Sequence, residues 1–526
     1  MKRRDFFIKT LPAAILPSLI NGYSVKAMSP SPMLDALMNM GTETDHVLVI
    51  IQMNGGNDGL NMVIPKDSYS NYFNARTNIA IPENKILTLN GNTKTGLHPA
   101  MTGLQNLYNE GKLSVIQSVG YPTPNFSHFR ATDIWMSASD SNQVVNSGWA
   151  GRYLNEEYAN YPNGYPNSAM PDPLAIQIGS VTSLALQGPA STMGMSITNP
   201  TSFYNLVGGI QDPAPPTPAG KELSYIRLVA QQTQEYATVI KSAASLVPQQ
   251  VTYPANNSLA DQLKIVARLV KGGLKTRIYM VSIGGFDTHS VQVNATDTTT
   301  GTHANLMGNL SGAIKAFMDD LQFLGIQDRV IGMTFSEFGR RIKSNSSIGT
   351  DHGAAAPLFL FGTQVQSGVL GSNPIIPTNA TVNDNIPHQY DFRSVYASIL
   401  QNWFCASPTT LESVLLKNFQ SLPVIKSSAC ATGLDDINRD AGDTLIVNYP
   451  NPFTESTSIT FKTKGGHTLV QIMDTLGRVI TNLVDRDYVP GSFTVSFNSG
   501  ALPTGVYYMR LQNGTIQQVK AILKVR

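Results

Sequence analysis

Three short glycine-rich segments, far apart in the chain, carry carboxylates and imidazoles that could bind a divalent metal. They are Gly55–Asn61, Gly284–His289 and Gly349–Gly353. The first two directly follow the apolar, β-branched runs His46–Met53 and Thr276–Ile283, which predict buried strands. Because the carboxyl ends of parallel strands meet at one edge of a sheet, residues distant in sequence can meet there.

Six side chains in or near these segments are candidate metal ligands. They are Asp58, Asp287, His289, Asp351, His352 and His388. Asp287 and His289 are two residues apart, so in an extended segment both point to the same side. Three carboxylates and three imidazoles suffice for two ions, and mixed ligation of this kind suits zinc or a similar divalent metal. Two such ions favour in-line displacement at phosphorus or sulfur. Asn57 or Asn54 could take the place of Asp58.

Ser127 is the candidate nucleophile, because it precedes the predicted helix Phe129–Met136. Free N–H groups at a helix N-terminus favour anions, and a nearby metal could lower the pKa of the hydroxyl. Ser127 could equally be a simple N-cap. His128 could orient substrate or pack locally.

Two arginines follow the predicted strand Arg329–Phe335. Arg340 could clamp an anionic group of the substrate or pair with an acid and fix a loop, and the same alternatives apply to Arg341. His98 and His303 are interpreted as structural.

The predicted architecture is an α/β domain over residues 45–425, followed by a linker (426–443) and a small all-β sandwich (444–526). Alternating strand and helix patterns in the first part predict a central, mostly parallel sheet flanked by helices. Residues 121–218 are rich in Pro, Asn and Ser and predict a long irregular insert. Short alternating runs separated by turn residues predict the C-terminal sandwich.

Charge, the N-terminus and the cysteines limit the possible functions and cellular locations further. The formal net charge is +2 with no basic stripe, which argues against nucleic-acid binding. Residues 1–27 place paired arginines before a short apolar stretch, a pattern that resembles a twin-arginine export signal. No later run reaches the length of a membrane helix. Cys405 and Cys430 could close one loop or remain two buried thiols.

The C-terminal motifs resemble the sorting domain of type IX secretion cargo. They are Asn448–Phe453, Asp474–Ile480 and Leu502–Arg510, with Lys520 near the end. The resemblance implies passage through the periplasm and across the outer membrane, with the twin-arginine and type IX machineries as partners. The mature protein would then lie on the cell surface or outside the cell.

Residues 45–405 resemble the exported bacterial family known as domain of unknown function 1501. The matching segments are Gln52–Pro65, Ser127–Trp135, Gly284–Gln292, Ser336–Gly353 and Asp391–Leu400. The family is similar to the alkaline phosphatase and sulfatase superfamily, which implies a large α/β sandwich with a bimetal centre. Asp58, Asp351 and His352 would then hold one ion, with Asp287, His289 and His388 around the other. The chain lacks the Cys/Ser-x-Pro-x-Arg sequence of sulfatases, which argues against formylglycine chemistry.

These observations predict an exported metal-dependent hydrolase of phosphate or sulfate esters, acting on a small-molecule or glycan ester. The alternatives are a non-catalytic surface or binding protein on the same fold, and a factor that acts on other exported cargo.

Overall fold

The computed structural model describes residues 44–199, 235–426, 430, 445–449, 451–463, 465–489, 491–514 and 516–525. The predicted export signal and most of the predicted linker lie outside these residues. The chain divides into a main unit, Thr44–Cys430, and a unit that contains Ala431–Arg526. No helix in the described ranges has both the length and the apolar character that crossing a bilayer requires.

A nine-stranded sheet forms the centre of the main unit, in the order β11-β5-β10-β9-β1-β8-β6-β7, with β12 beside β5. Its strands are β1 (Val47–Met53), β5 (Leu113–Gly120), β6 (Ala175–Ile178), β7 (Met195–Ile197), β8 (Ile278–Ile283), β9 (Val330–Phe335), β10 (Ala356–Phe361), β11 (Gly368–Leu370) and β12 (Tyr390–Asp391). Strand β10 runs antiparallel to both of its neighbours, and the other strands run in one direction. A separate small sheet contains β2 (Val63–Pro65), β3 (Leu87–Leu89) and β4 (Asn92–Leu97).

Nine α-helices with both ends in the described residues accompany the sheet. They are α1 (Gly59–Met62), α2 (Tyr69–Ala75), α3 (Thr102–Asn109), α4 (His128–Ser137), α5 (Trp149–Glu157), α6 (Ser258–Lys271), α7 (Thr302–Phe323), α8 (Phe392–Asn402) and α9 (Pro408–Leu415). Residues 235–245 are also helical.

The sheet separates two hydrophobic cores, because side chains alternate between the faces of a strand. In β1, Val47, Val49 and Ile51 belong to one core, with the apolar faces of α6 and α7. Leu48 and Ile50 belong to the other, which includes apolar residues of α4, α5 and α8. Every residue of β1 is buried, as a strand covered on both faces requires.

The expected α/β architecture with a mostly parallel central sheet is confirmed. Two details differ from the sequence prediction. Strand β10 is antiparallel to both neighbours, and no helix lies between it and β9. The predicted irregular insert also contributes two parallel strands, β6 and β7. At four and three residues they are too short for a periodic pattern to emerge between the flanking Pro and Ser residues.

Cys405 and Cys430 form a disulfide, which decides between the two alternatives left open by the sequence. The bond joins positions 25 residues apart, both in the main unit. Such a cross-link fits an oxidising compartment, where disulfides persist.

The C-terminal unit contains two antiparallel sheets, as expected for a β-sandwich. The first has the order β13-β14-β17 and the second β16-β15-β18-β19. The strands are β13 (Leu445–Tyr449), β14 (Ser456–Thr463), β15 (Gly466–Met473), β16 (Val479–Tyr488), β17 (Gly491–Asn498), β18 (Gly505–Asn513) and β19 (Ile516–Lys524). Residues from both sheets, including Ile459, Phe461, Ile472 and Met509, pack into one buried core.

Candidate metal centre

Four loops and one helix meet at the carboxyl edge of the central sheet. The Asp58 loop (54–58) follows β1, the Asp287 loop (284–289) follows β8, and the Glu337 loop (336–341) follows β9. The Asp351 loop (349–353) precedes the antiparallel strand β10, so it lies at the same edge. Helix α4 begins at His128 after the turn that follows β5. The sheet order therefore places all five segments side by side, as the strand-end argument predicts.

Glycines allow these loops to approach one another backbone to backbone. Gly55 has a φ of 121°, and a Cβ at this position would lie 2.4 Å from the backbone nitrogen of Asp287. A Cβ on Gly349 would lie 2.4 Å from the carbonyl carbon of His289, and one on Gly353 would lie 2.3 Å from that of Arg340. No side chain fits at these distances, which accounts for the glycine-rich character of the segments.

Asp287 is the centre of a cluster of three imidazoles, which we call the Asp287 cluster (Asp287, His128, His289 and His352). Its Oδ1 lies 3.3 Å from Nε2 of His289 and 3.4 Å from Nε2 of His352. Its Oδ2 lies 3.5 Å from Nε2 of His128. The ligand atoms of His128, Asp287 and His352 all lie within 4.8 Å of one another, a spacing suited to one metal ion.

The outward-facing nitrogen of each imidazole is held by an acceptor. Nδ1 of His128 donates to Oε1 of Glu337 at 2.9 Å, and Nδ1 of His289 donates to Oδ1 of Asp351 at 3.1 Å. Nδ1 of His352 donates to the Phe126 carbonyl at 2.8 Å. A neutral imidazole with its proton on Nδ1 carries a lone pair on Nε2. Fixing the tautomer in this way is typical of histidines that bind metals.

The inner atoms of the cluster therefore face one another as acceptors. Three Nε2 lone pairs point towards a carboxylate, and such a contact is favourable only when a proton or a metal cation lies between them. Burial, helped by the charge of Arg340, lowers the pKa of His352 although the Phe126 carbonyl and Asp287 raise it, which disfavours protonation of this ring. The residues present thus fit a divalent cation with imidazole and carboxylate ligands.

Asp287 and the adjacent Asp351 are both ionised at neutral pH. Burial raises the pKa of Asp287, but the hydrogen bond and charge of Arg340, followed by His352 and His289, lower it below its usual value. In Asp351 burial also raises the pKa, and hydrogen bonds from Asn345 and His289 outweigh it. Asp351 accepts hydrogen bonds from the Asn345 amide and from Nδ1 of His289, each at 3.1 Å. Asp351 therefore supports the His289 ring from outside the cluster.

Arg340 fixes the loops, and its side chain has no solvent-exposed surface. Nε donates to the Gly56 carbonyl at 2.6 Å, Nη1 to the Thr350 carbonyl at 2.9 Å and Nη2 to Oδ1 of Asp287 at 2.7 Å. Nη2 also donates to the carbonyls of Gly55 and Phe286. Of the two roles considered for this arginine, the structure places it in the loop-fixing one. Its N–H groups are committed to protein acceptors rather than to an anion.

Asp58 lies outside the cluster, in a fully buried ion pair with Arg76. Nη1 of Arg76 donates to both carboxylate oxygens, at 2.6 and 2.7 Å, and Nε2 of Gln292 donates to Oδ2 at 2.6 Å. Burial raises the pKa of Asp58, but the charge of Arg76 and then that of His303 lower it, so the carboxylate is ionised. Its lone pairs face Arg76 and Gln292 rather than the three imidazoles, since α1 begins directly after it and turns the chain inward.

The remaining predicted residues lie at the rim of the site. Ser127 is exposed at the N-terminal end of α4, where its side chain makes no capping hydrogen bond. His388 is exposed beside Gly120 and is not part of the Asp287 cluster. Arg341 is half-buried, with its guanidinium 5.3 Å from the centre of the Phe126 ring.

Sequence reasoning missed four residues that support the site: Glu337, Asn345, Arg76 and Gln292. Glu337 is buried and comes two positions after β9, so the rule that selected Asp58 could also have selected it as a partner of His128. Asn345, Arg76 and Gln292 do not directly follow a strand. Only the folded loops reveal their contacts.

Two family models match the chain, one within each of its two units. The family described as "Protein of unknown function (DUF1501)" matches residues 45–398. The chain belongs to this family. A secretion system C-terminal sorting domain matches residues 447–525. The sorting domain indicates export to the cell surface or the extracellular space, as the sequence predicts.

The solved structures that match the chain are distant. The PsFucS1 sulfatase from Pseudoalteromonas sp. shares 10% identity over 89% of this chain and 88% of its own, with a TM-score of 0.33. A protein of the alkaline phosphatase superfamily from Vibrio parahaemolyticus shares 8% identity over 91% and 82% of the two chains, with a TM-score of 0.29. PorZ, a surface component of the type-IX secretion system of Porphyromonas gingivalis, shares 18% identity, with a TM-score of 0.13. That match covers 20% of this chain and 14% of PorZ. No curated protein matches the chain, and no residue role is transferred from these structures.

Beside the Asp58 loop lies a buried pair of histidines that makes the fold sensitive to acid. Burial lowers the pKa of His303 to about 4 and that of His98 to about 3. Histidine in an unfolded chain titrates near ~6.5. Between these values the unfolded chain binds more protons than the native protein, so the free energy of unfolding falls as the pH falls from about 6.5 to 4.

His303→Gln tests this account, because glutamine can still donate to the Asn57 side chain, which accepts from Nε2 of His303 at 3.2 Å, and cannot titrate. We expect the pH dependence of the unfolding free energy to become shallower by up to roughly 1.4 kcal/mol per pH unit. Denaturant titrations followed by tryptophan fluorescence measure it for the main unit, where all three tryptophans lie. His467→Gln, at an exposed position of the C-terminal unit, is the control. Equal slopes for wild type and His303→Gln would contradict the account.

Proposed function

We propose that this protein is an exported metal-dependent hydrolase of phosphate or sulfate esters, and that the Asp287 cluster binds its divalent ion. The observation that carries the proposal is the orientation of the three imidazoles. Each has its outer nitrogen bound by an acceptor and its inner nitrogen directed at the carboxylate of Asp287. Zinc suits this mixture of nitrogen and oxygen ligands.

A divalent ion bound there would supply Lewis-acid chemistry and activate water or a hydroxyl at neutral pH. His128, His352 and Asp287 are the residues proposed to hold it, with His289 completing the set on the side of Asp351. The sequence also suggested a second ion. Among the described residues the Asp287 cluster is the one group of this kind, so the proposal is for one ion.

Ser127 is the proposed nucleophile or hydroxyl donor at the mouth of the cluster. It is adjacent to His128, is exposed and lies at the N-terminal end of α4, where free backbone N–H groups favour an anionic substrate group. A ten-residue helix provides a dipole of the size that such binding uses.

Arg341 is the proposed anion-binding arginine, because Arg340 is committed to the loops. Its backbone N–H donates to the Asp351 carbonyl at 2.9 Å, which keeps the residue beside His352. One nitrogen of its guanidinium donates to the Asn383 carbonyl. The other donors are free of carboxylates among the described residues, so the positive charge can meet the sulfate or phosphate group of an ester.

The metal content of the purified protein tests the proposed centre. Elemental analysis after growth with zinc should give about one ion per chain. His352→Ala and Asp287→Asn should each lose the ion and any hydrolysis of aryl phosphates, aryl sulfates and sulfated sugars, because each removes a proposed ligand. His388→Ala should keep both.

The possible results separate the alternatives. A wild-type protein without metal under these conditions would contradict the proposal. A content near two would restore the two-ion prediction. Full loading without turnover on any ester would favour the non-catalytic binding protein.

A second prediction concerns Arg341. Arg341→Gln should raise KM for the ester by about tenfold or more, since one charge-assisted hydrogen bond contributes roughly 1.5–3 kcal/mol. Its metal content should match that of the wild type, because the side chain of Arg341 donates to the Asn383 carbonyl, whereas its contact with Asp351 is through the backbone N–H. Lys343→Gln, an exposed cation two residues away, is the matched control. Unchanged kcat/KM in Arg341→Gln would remove Arg341 from substrate binding.

A further inference from the structure

The buried amide of Gln292 joins three of the loops that form the candidate centre. Its Nε2 donates to Oδ2 of Asp58 at 2.6 Å. Its Oε1 accepts from Oγ1 of Thr288 at 3.0 Å and from Oγ1 of Thr350 at 2.9 Å. Gln292 is completely buried, so water does not compete for these hydrogen bonds.

The two threonines place this amide directly behind the Asp287 cluster. Thr288 lies between Asp287 and His289, and Thr350 precedes Asp351 and His352. The backbone of Thr350 also donates to the Thr288 carbonyl at 3.1 Å, so the two loops run side by side at this point. A shift of Thr288 would therefore move Asp287 and His289, and a shift of Thr350 would move His352.

Only an uncharged amide satisfies all three contacts. Asp58 needs a donor, because it is ionised and buried, whereas the two threonine hydroxyls need an acceptor. A glutamate would place a second carboxylate against Asp58, and an aliphatic side chain would leave Asp58 and two hydroxyls short of a partner.

Asp58 supplies a fixed anchor for the amide. Its carboxylate is held by Arg76, whose Nε donates to the Ile342 carbonyl at 2.7 Å and whose Nη2 donates to the Arg341 carbonyl at 2.6 Å. The anchor is thus tied to the segment that follows Arg340, in addition to β1. This gives Asp58 a position in the site without making it a ligand.

We infer that Gln292 is a positioning residue, which holds the Asp287 loop and the Asp351 loop at the distance that directs His289 and His352 towards Asp287. The inference rests on the proposed function for its consequence on metal binding. The positioning itself can be tested without a metal. His128 is oriented by Glu337 on a different loop, so its orientation does not depend on Gln292 and serves as an internal reference.

The test uses the ¹⁵N spectra of the histidine side chains and the zinc affinity of the full chain. In Gln292→Leu, the Nδ1–H signals of His289 and His352 should weaken or shift, while that of His128 should stay as in the wild type. Zinc affinity, measured by competition with a chromogenic chelator, should fall about 10- to 100-fold, as for other residues that orient metal ligands. Thr350→Val, which removes one of the three hydrogen bonds, should show a smaller change in the same direction. This milder variant keeps the inference testable if Gln292→Leu does not fold.

Gln250→Leu is the matched control. The amide of Gln250 also donates to a buried aspartate, Oδ2 of Asp320, at 2.7 Å, but it lies away from the cluster. This variant should leave all three histidine signals and the zinc affinity unchanged.

Two results would overturn the inference. One is a Gln292→Leu protein whose His289 and His352 signals match the wild type. The other is an equal change at His128, which would indicate general loss of structure rather than positioning. If the wild type binds no zinc, the proposed function fails, and the metal-free spectra still decide the role of Gln292.

Discussion

The positive charge of Arg340 lies inside the protein, and a buried guanidinium needs an acceptor for its donors in nearly every direction. Here those acceptors are backbone carbonyls from the loops after β1 and β8 and from the loop before β10, together with the carboxylate of Asp287. One side chain from the loop after β9 therefore satisfies the backbone of three other loops. Because it also pairs with Asp287, it orients the central carboxylate of the candidate centre and keeps it ionised. A fixed cation beside Asp287 would also reduce the negative charge available to a bound metal, so in the proposed centre the three imidazoles would provide much of the affinity.

The sheet and the glycines make this arrangement possible. Parallel strands deliver the loops to one edge, and β10, running the other way, returns the Asp351 loop to that edge. Glycines such as Gly55 and Gly353 then let the loops touch at distances that would exclude any Cβ. The resulting site is rigid at its base, where Arg340, Glu337 and Gln292 are buried. It is open at its face, where Asp287 and His289 retain nearly half of their side-chain exposure. Buried partners that orient exposed imidazoles fit the proposed metal centre.

The sequence predicted the fold class and the region of the site because both depend on local patterns. Buried strands have continuous apolar runs, and a polar residue directly after such a run lies at the sheet edge whatever the details of the loop. The structure brings Asp287 and His289, which come soon after β8, close to His352, which lies some distance after β9. The rule could not distinguish Asp58 from Asp287, since both follow a strand and a glycine pair. The difference is decided by Arg76 and Gln292, which no pattern connects to Asp58.

From the sequence, His128 can be interpreted only as orienting substrate or packing locally, because its partner Glu337 is 209 residues away in sequence. Strands β6 and β7 were missed because segments of four and three residues carry too little periodic information.

The account depends on a cation at the point where three imidazole nitrogens face Asp287. X-ray data collected from zinc-soaked crystals above and below the zinc absorption edge test this most directly. The account predicts one anomalous peak per chain, within coordination distance of Asp287 and Nε2 of His128 and His352, with the Asp58–Arg76 ion pair intact. A crystal with full zinc exposure and no peak at Asp287, or a peak bound by Asp58 instead, would contradict it.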